Sequence, residues 1–216
     1  MIDVDPNNPV VQLCAQGMQA EVEGRDDDAG ELFRRAWQAA ADDYDACVAA
    51  HYVARHQRTA EQILHWNQEC LERADRVGDE RVLGFYPSLH LNLAQARRDL
   101  GDLELAYEHF AAAAEYVRQM PAGPYADWIR FAIAEGRRAT SAGADDPVRD
   151  LLSNLCARAD LKVLALILPA YVGDLGTQED RLRLISALSM VHASRSLEDA
   201  DQGAVGQAIR LLSAST

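Results

Sequence analysis

The hydrophobic positions along the chain repeat with the period of an α-helix. Apolar residues recur at i, i+3, i+4 and i+7 in almost every segment, and hardly any segment alternates with the period of two that is typical of a strand. Breaks rich in glycine, proline or polar residues fall at Gly24, Gly78, Gly101, 121–124, Gly143, 173–176 and 196–201. The pattern predicts an all-α chain in which short turns join neighbouring, antiparallel helices.

Two distant stretches share one arrangement of small and aromatic positions. In an ungapped comparison of 11–38 with 88–115, Gly17 corresponds to Ala94, Gly24 to Gly101, Ala29 to Ala106, Phe33 to Phe110 and Ala36 to Ala113. A small residue lets one helix approach the next closely, and a glycine can end a helix in a conformation that a Cβ disfavours. The alanines and the phenylalanine fall on one face of the second helix. We therefore expect two copies of one helical hairpin.

This arrangement resembles the tetratricopeptide repeat (TPR), a helix-turn-helix unit of about 34 residues. The stretch at 87–120 matches best, with Leu93, Gly101, Ala106, Phe110 and Ala113 in place and Pro121 beyond them. The first stretch departs from the pattern at Leu13 and Ala20. The resemblance implies a right-handed α-solenoid of stacked hairpins, which needs a cap at its open end.

The predicted organisation follows from the spacing of these copies. A longer unit fits between the two stretches, and Gly136 and Gly143 indicate another unit after them, with Val148, Leu152 and Leu155 in its second helix. The prediction is a loose leader (1–9), a TPR-like array over 10–159 with units near 10–43, 44–86, 87–120 and 129–159, and a C-terminal helical extension and cap (160–216).

Composition narrows the classes of partner. The 216 residues are 49% hydrophobic, which is enough for a sizeable core, and 34 acidic against 21 basic residues give a net charge of −13. A surface that binds phosphates needs a basic stripe, so we expect neither nucleic acid nor an anionic membrane as a partner. The longest apolar run, 163–172, is interrupted by Pro169 and is well short of the ~20 residues of a membrane span.

The four cysteines form no C-x-x-C pair and lie in helical, apolar surroundings, which favours buried thiols in a reducing compartment. No secretory leader pattern opens the chain. We therefore expect a cytoplasmic protein.

The sequence holds none of the common catalytic motifs, such as G-x-S-x-G, a P-loop or H-E-x-x-H. His65 and Glu69 have a spacing that a metal could use, but a surface hydrogen bond is the commoner reason for it. The acidic clusters at 26–28, 42–45, 102–104 and 145–146 fall at predicted helix starts, where carboxylates stabilise the helix. We predict that the protein is not an enzyme and that it holds no metal or cofactor.

In TPR proteins the first helix of each unit lines a concave face that holds an extended peptide or another protein. Transferring those positions gives a candidate partner-binding face: Met18, Tyr44, His51, Arg55, Leu91, Asn92, Gln95 and Arg98. An asparagine can both donate to and accept from a peptide backbone, and an arginine can bind a carboxylate. The basic clamp of chaperone-adaptor members is absent, because Cys14, Met18, Ser88 and Asn92 stand at its positions.

Three functional hypotheses follow. The first is a non-catalytic scaffold that binds another protein or an extended peptide, and the alternative is a regulatory sensor that encloses a small molecule or signalling peptide. An enzyme is a distant third. The run 163–168 is apolar on all sides, so it belongs either to the core or to the face of a homodimer formed through 160–216.

Overall fold

The computed structural model describes residues 5–140 and 146–214, and within them the chain is all-helical, with no strand. Twelve helices follow one another there: α1 (Pro9–Val22), α2 (Asp26–Ala39), α3 (Asp43–Arg55), α4 (Ala60–Val77), α5 (Glu80–Leu83), α6 (Tyr86–Asp99), α7 (Leu103–Val117), α8 (Pro124–Thr140), α9 (Pro147–Ala157), α10 (Leu161–Val172), α11 (Gln178–Ser194) and α12 (Asp199–Ala214). The predicted all-α class is confirmed. None of the described helices combines the length and the apolar character needed to cross a membrane.

The chain divides into two compact units, Met1–Pro121 and Ala122–Thr216. In the first unit the helices pack mainly in consecutive pairs, α1 with α2, α3 with α4, and α6 with α7. The pairs contact one another through α2 and α3 and through α4 and α6. Of the leader predicted over 1–9, the structure describes residues 5–9, and the side chain of Asn8 caps α1 by accepting from the amides of Val10 and Val11.

The first helix pair is held together by a contact between a glycine and a phenylalanine. Gly17 is buried in α1, and a Cβ built on it would lie 2.3 Å from Cε1 of Phe33 in α2. Phe33 and its counterpart Phe110 in α7 both have 0% of their surface exposed. Because a Cβ has no room here, glycine is what lets the backbone of α1 approach the aromatic ring.

The turns after α1 and α6 have the same hydrogen bonds at the same offset. The amides of residues 23, 24 and 25 donate to the carbonyls of 19, 21 and 20, and those of 100, 101 and 102 donate to 96, 98 and 97. Gly24 and Gly101 adopt φ values of +72° and +83°, the left-handed conformation predicted for them. The matching offset shows that these two turns are local copies of each other.

A third copy of this turn lies between α9 and α10, where the amides of 158, 159 and 160 donate to the carbonyls of 154, 156 and 155. Ala159 occupies the left-handed position with φ of +54°. The predicted turn of the 129–159 unit is at Gly143, which lies outside the described residues. Because alanine carries no signal for a left-handed turn, the pattern missed the turn at Ala159.

In the second unit, α9 to α12 surround a core that includes Leu155, Ile167, Leu188 and Val205. The principal contacts of α9 are with α10 and α12, and those of α10 include α11 and α8. The helix α9 therefore packs against helices of the predicted C-terminal extension (160–216).

The apolar run 163–168 contributes mainly to this core. Val163, Leu164 and Ile167 are buried, whereas Leu166 is 44% exposed. Burial of one face accounts for most of the apolar character of the run, and the homodimer through 160–216 stays a prediction.

Two ion pairs with buried carboxylates tie this unit together, Arg130 with Asp180 and Arg158 with Asp201. The Asp180 carboxylate also accepts from the Leu175 amide and the Thr177 hydroxyl. A buried carboxylate with several donors is compensated for the loss of its hydration.

Several predicted helix starts are capped by the expected acids. Asp42, Asp102 and Asp146 accept from the amides of Asp45, Leu105 and Val148. In α2 the three aspartates occupy the first turn, and within the described residues no side chain caps this helix. Asp145 lies outside the described residues.

The Gly17–Phe33 contact predicts the effect of adding one methyl group. Gly17→Ala should lower the free energy of unfolding by about 1–3 kcal/mol, because the new Cβ overlaps the ring. Gly203→Ala is the matched control, since Gly203 is exposed in α12 and, apart from the adjacent backbone of its own helix, none of the described residues has an atom within 4 Å of its would-be Cβ. The control should raise stability by about 0.5–1 kcal/mol, because alanine favours a helix. Urea denaturation followed by circular dichroism measures both, and equal effects would contradict the packing described.

The left-handed turn at Ala159 predicts a substitution that stabilises the protein, in contrast to Gly17→Ala. Ala159→Gly should raise the free energy of unfolding by about 0.5–1 kcal/mol, because glycine adopts this φ without a steric cost. The control is Ala165→Gly, at an exposed position inside α10, which should lower stability by about 1 kcal/mol. If thermal and urea unfolding show Ala159→Gly to be the less stable protein, the left-handed turn is wrong.

Candidate functional site

The amide groove is a depression of about 180 Å³ between α3, α4 and α6. It brings together three of the predicted partner-binding residues, Arg55 from α3 and Asn92 and Gln95 from α6. Its full lining is Ala54, Arg55, Ile63, Asn67, Asn92, Gln95, Ala96 and Asp99. Side chains from two neighbouring helix pairs therefore meet here.

A buried asparagine at the base of the amide groove is hydrogen-bonded to residues on both sides. Asn67 is buried in α4, and its side-chain amide donates to the Ile63 carbonyl at 2.8 Å. Its oxygen accepts from the Asn92 amide at 3.4 Å. Because an asparagine side chain has two donors and one acceptor oxygen, Asn92 still has an oxygen and an N–H to offer a ligand.

Three other predicted residues lie outside the amide groove. Met18 is 37% exposed on α1, and half-buried Tyr44 lies beneath Arg81, whose guanidinium carbon is 5.0 Å from the centre of the ring. Arg98 is half-buried, and its nitrogen lies 3.7 Å from a carboxylate oxygen of Asp99, which does line the groove.

Leu91 and His51 are more enclosed than a partner-binding face requires. Leu91 is 0% exposed, because α6 packs against α4 on one side and α7 on the other, so this side chain supports the helix as part of the core. His51 packs edge-on against Tyr52 and Phe85, and its buried Nδ1 has no hydrogen-bond partner among the described residues. Burial lowers the pKa of His51 to about 4, with a further contribution from Arg55.

The charged pocket is a larger opening of about 640 Å³ in the first unit. Its lining comes from the end of α1, from α2, and from the end of α3 with the turn after it. The residues are Glu21, Asp26, Asp27, Gly30, Arg34, Val53, Arg55, His56, Gln57 and Arg58. Arg55 therefore lines both this pocket and the amide groove.

Glu21 holds the end of α3 against α1 inside the charged pocket. One of its carboxylate oxygens lies 2.9 Å from Nη2 of Arg55, and the other lies 2.9 Å from Nε2 of His56. The His56 ring lies over Gly30, where a Cβ would be 3.6 Å from Nδ1. This arrangement fixes one wall of the pocket.

A pair of histidines joins α6 to α7 in the first unit. Nδ1 of His90 lies 3.0 Å from Nδ1 of His109, and the His90 ring also stacks with Tyr86 and Tyr116. Burial lowers the pKa of His90 to about 4, and the neighbouring His109 contributes. Burial also lowers the pKa of His109, with Arg97 adding to the effect. Such a contact requires one nitrogen to donate and the other to accept, so the pair forms only while at least one ring is neutral.

The cysteines are mostly enclosed. Cys47 and Cys70 are free and buried, with their sulfur atoms 3.6 Å apart, and burial raises the pKa of the Cys14 thiol to about 12. Cys156 is exposed, which corrects the expectation that all four thiols are buried. Burial and a raised pKa make a thiol a poor nucleophile. Among the described residues no group of three or more histidine, cysteine or carboxylate side chains is arranged to hold a metal ion.

Two parts of this surface are missing from the prediction made from the sequence. Asn67 is one of them, although a single asparagine on an otherwise apolar helix face is a signal for a buried polar contact. The charged pocket depends on His56 and Arg58 at a helix end and on Asp26 and Asp27 in another helix, and no local pattern connects them.

No protein-family model, curated protein or solved structure matches this chain. The relation to the TPR therefore stays a resemblance that depends on the residues themselves.

The buried histidines predict a loss of stability in mild acid. Because folding lowers the pKa of His51, His90 and His109 below the ordinary value of about 6.5, the unfolded chain binds protons first as the pH falls. The stabilisation is complete above pH ~6.5 and is lost progressively towards pH ~4. The free energy of unfolding should be about 2 kcal/mol lower at pH 5.5 than at pH 7, as measured by urea denaturation in one buffer series.

Two variants test whether the buried histidines cause this pH dependence. His90→Gln should reduce the difference between the two pH values, whereas His65→Gln, at an exposed position on α4, should leave it as in the wild type. A free energy of unfolding that is equal at pH 7 and pH 5.5 would refute the assignment.

Proposed function

We propose that this protein is a non-catalytic, TPR-like scaffold that binds an extended peptide or a segment of another protein in the amide groove. The observation that carries the proposal is the meeting of Arg55, Asn92 and Gln95 between two helix pairs. These are residues that a TPR array would present to a partner.

The packing of the first unit supports a TPR-like architecture. The same turn follows α1 and α6. In the first helix pair Gly17 leaves room for the ring of Phe33, as the repeat pattern requires. We propose that the helix pairs stack as a right-handed solenoid and that the C-terminal helices cap it. Helices related by one repeated turn stack most simply as a regular superhelix.

The size and chemistry of the amide groove favour a peptide. A volume of about 180 Å³ is below the ~300–1,000 Å³ typical of small-molecule pockets, but it suits a short stretch of backbone or one side chain. Asn92 and Gln95 can each pair with a backbone N–H and a backbone C=O. The overall charge of −13 favours approach of a neutral or basic partner over an acidic one.

The location and oligomeric state follow as secondary proposals. We propose a cytoplasmic protein, since Cys47 and Cys70 are not joined by a disulfide although their sulfur atoms are in contact. A homodimer through 160–216 would use the exposed apolar side chains of that region, such as Leu161, Leu166 and Leu182.

A regulatory sensor is the second candidate function. The charged pocket favours it, because its volume of about 640 Å³ lies within the range of small-molecule sites. A scaffold and a sensor can coexist in one unit: both sites lie at the C-terminal end of α3, but they share only Arg55 and otherwise have different lining residues.

A displayed library of random peptides tests the scaffold. Peptides that are selected on the wild-type protein should lose about five- to tenfold in affinity for Gln95→Ala, because one or two hydrogen bonds are lost. Gln95 makes no side-chain hydrogen bond in the described residues, so the variant should keep its thermal stability. Asn92→Ala should weaken binding similarly, but with some loss of stability, because its bond to Asn67 is removed.

The matched control is Gln38→Ala, at an exposed position on α2 away from the groove, which should bind the selected peptides as the wild type does. Fluorescence polarisation gives the affinities. Two results oppose the proposal: no peptide is selected, or the selected peptides bind Gln95→Ala and Asn92→Ala with unchanged affinity.

A further inference from the structure

The charged pocket carries groups of both signs that have no ion-pair partner among the described residues. Arg58 lines it from the turn after α3, and Asp26 and Asp27 line it from the first turn of α2. None of these three side chains has a salt bridge in the described part of the chain. All three are exposed, so they retain hydration and can exchange it for a ligand.

The remaining charges of the pocket are already compensated. Glu21 is bonded to Arg55 and His56, and Arg34 pairs with Glu31 at 2.9 Å. As far as the described residues show, the unpaired set of this pocket therefore consists of one guanidinium and two carboxylates. These groups come from different elements, the carboxylates from α2 and the guanidinium from the turn that follows α3.

We propose that the charged pocket binds a small dipolar ligand, of the size of an amino acid or dipeptide, that carries both an ammonium and a carboxylate group. The ammonium pairs with Asp26 and Asp27, and the carboxylate pairs with Arg58. The pocket volume of about 640 Å³ accommodates a ligand of this size. This proposal does not depend on the amide groove.

The mixed charges select against simpler ligands. A plain anion gains the guanidinium of Arg58 but is repelled by the two aspartates, and a plain amine gains the aspartates but leaves the guanidinium unpaired. An uncharged molecule displaces water from the guanidinium and the carboxylates but forms no ion pair with either, so it does not make up for the lost hydration. A ligand with both charges satisfies the whole unpaired set.

A panel of free α-amino acids and dipeptides tests the proposal on the full chain. Thermal shift identifies stabilising members, because a ligand that binds the folded state raises its melting temperature. Isothermal titration calorimetry then compares each binder with its N-acetyl derivative and its decarboxylated amine. Loss of either charged group should weaken binding by about tenfold, which corresponds to one charge-assisted pair.

Variants at neighbouring positions locate the site. Arg58→Gln and Asp27→Asn should each weaken binding by about five- to tenfold. Arg35→Gln and Asp28→Asn are the matched controls, because these exposed residues of α2 do not line the pocket, and both should bind as the wild type does. All four side chains lie at the surface, so the variants should fold, and circular dichroism checks this.

Three results would overturn the proposal: no amino acid or dipeptide binds, the N-acetyl and decarboxylated derivatives bind as well as the parent, or the control variants weaken binding as much as Arg58→Gln does. Gln95→Ala separates this proposal from the peptide scaffold. This variant should leave binding of the dipolar ligand unchanged, so failure at one site does not imply failure at the other.

Discussion

The close approach of α1 to α2 is the constraint on which the first unit depends. Phe33 occupies the space that a Cβ on Gly17 would need, and the same ring stacks on Tyr52 at 5.1 Å and contacts the ring of His56 at 5.1 Å. One aromatic side chain therefore sets the distance between the paired helices and also positions the next helix, α3. Because interiors are close-packed, a shift of this ring would move all three helices together.

Both candidate sites take one wall from the last turn of α3, which that contact helps to position. With α3 seated on Phe33, its last turn lies beside the end of α1, where Glu21 reaches both Arg55 and His56. The amide groove, between α3, α4 and α6, depends on the buried side chain of Asn67. Asn67 is stable inside the helix pair only because the Ile63 carbonyl and the Asn92 amide satisfy it, and this requirement places Asn92 at the groove.

The sequence predicts the parts of this structure that local rules determine. The helices follow from apolar periodicity, and the turns at Gly24 and Gly101 follow from a conformation that favours glycine. The burial of Leu91 could not be predicted in this way, because it depends on α6 being covered from two sides. The turn at Ala159 was missed because alanine gives no local signal there, and the charged pocket was missed because its groups are brought together only by packing between helices. Of the groove, the sequence supplies Arg55, Asn92 and Gln95, whereas the role of Asn67 as their support is a tertiary contact.

The two sites differ in the physical basis of recognition. The amide groove would bind through neutral hydrogen bonds above a buried asparagine, and such bonds depend little on ionic strength. The charged pocket would bind through exposed carboxylates and a guanidinium, whose attraction beyond direct contact is screened over ~8 Å at physiological ionic strength. Added salt should therefore weaken a ligand in the pocket more than a peptide in the groove. Arg55 lies at the boundary of both sites and is already paired with Glu21, so its charge is compensated before either ligand arrives. The net charge of −13 then affects how fast a charged partner associates. The local pairing of charges determines which ligand each site can bind.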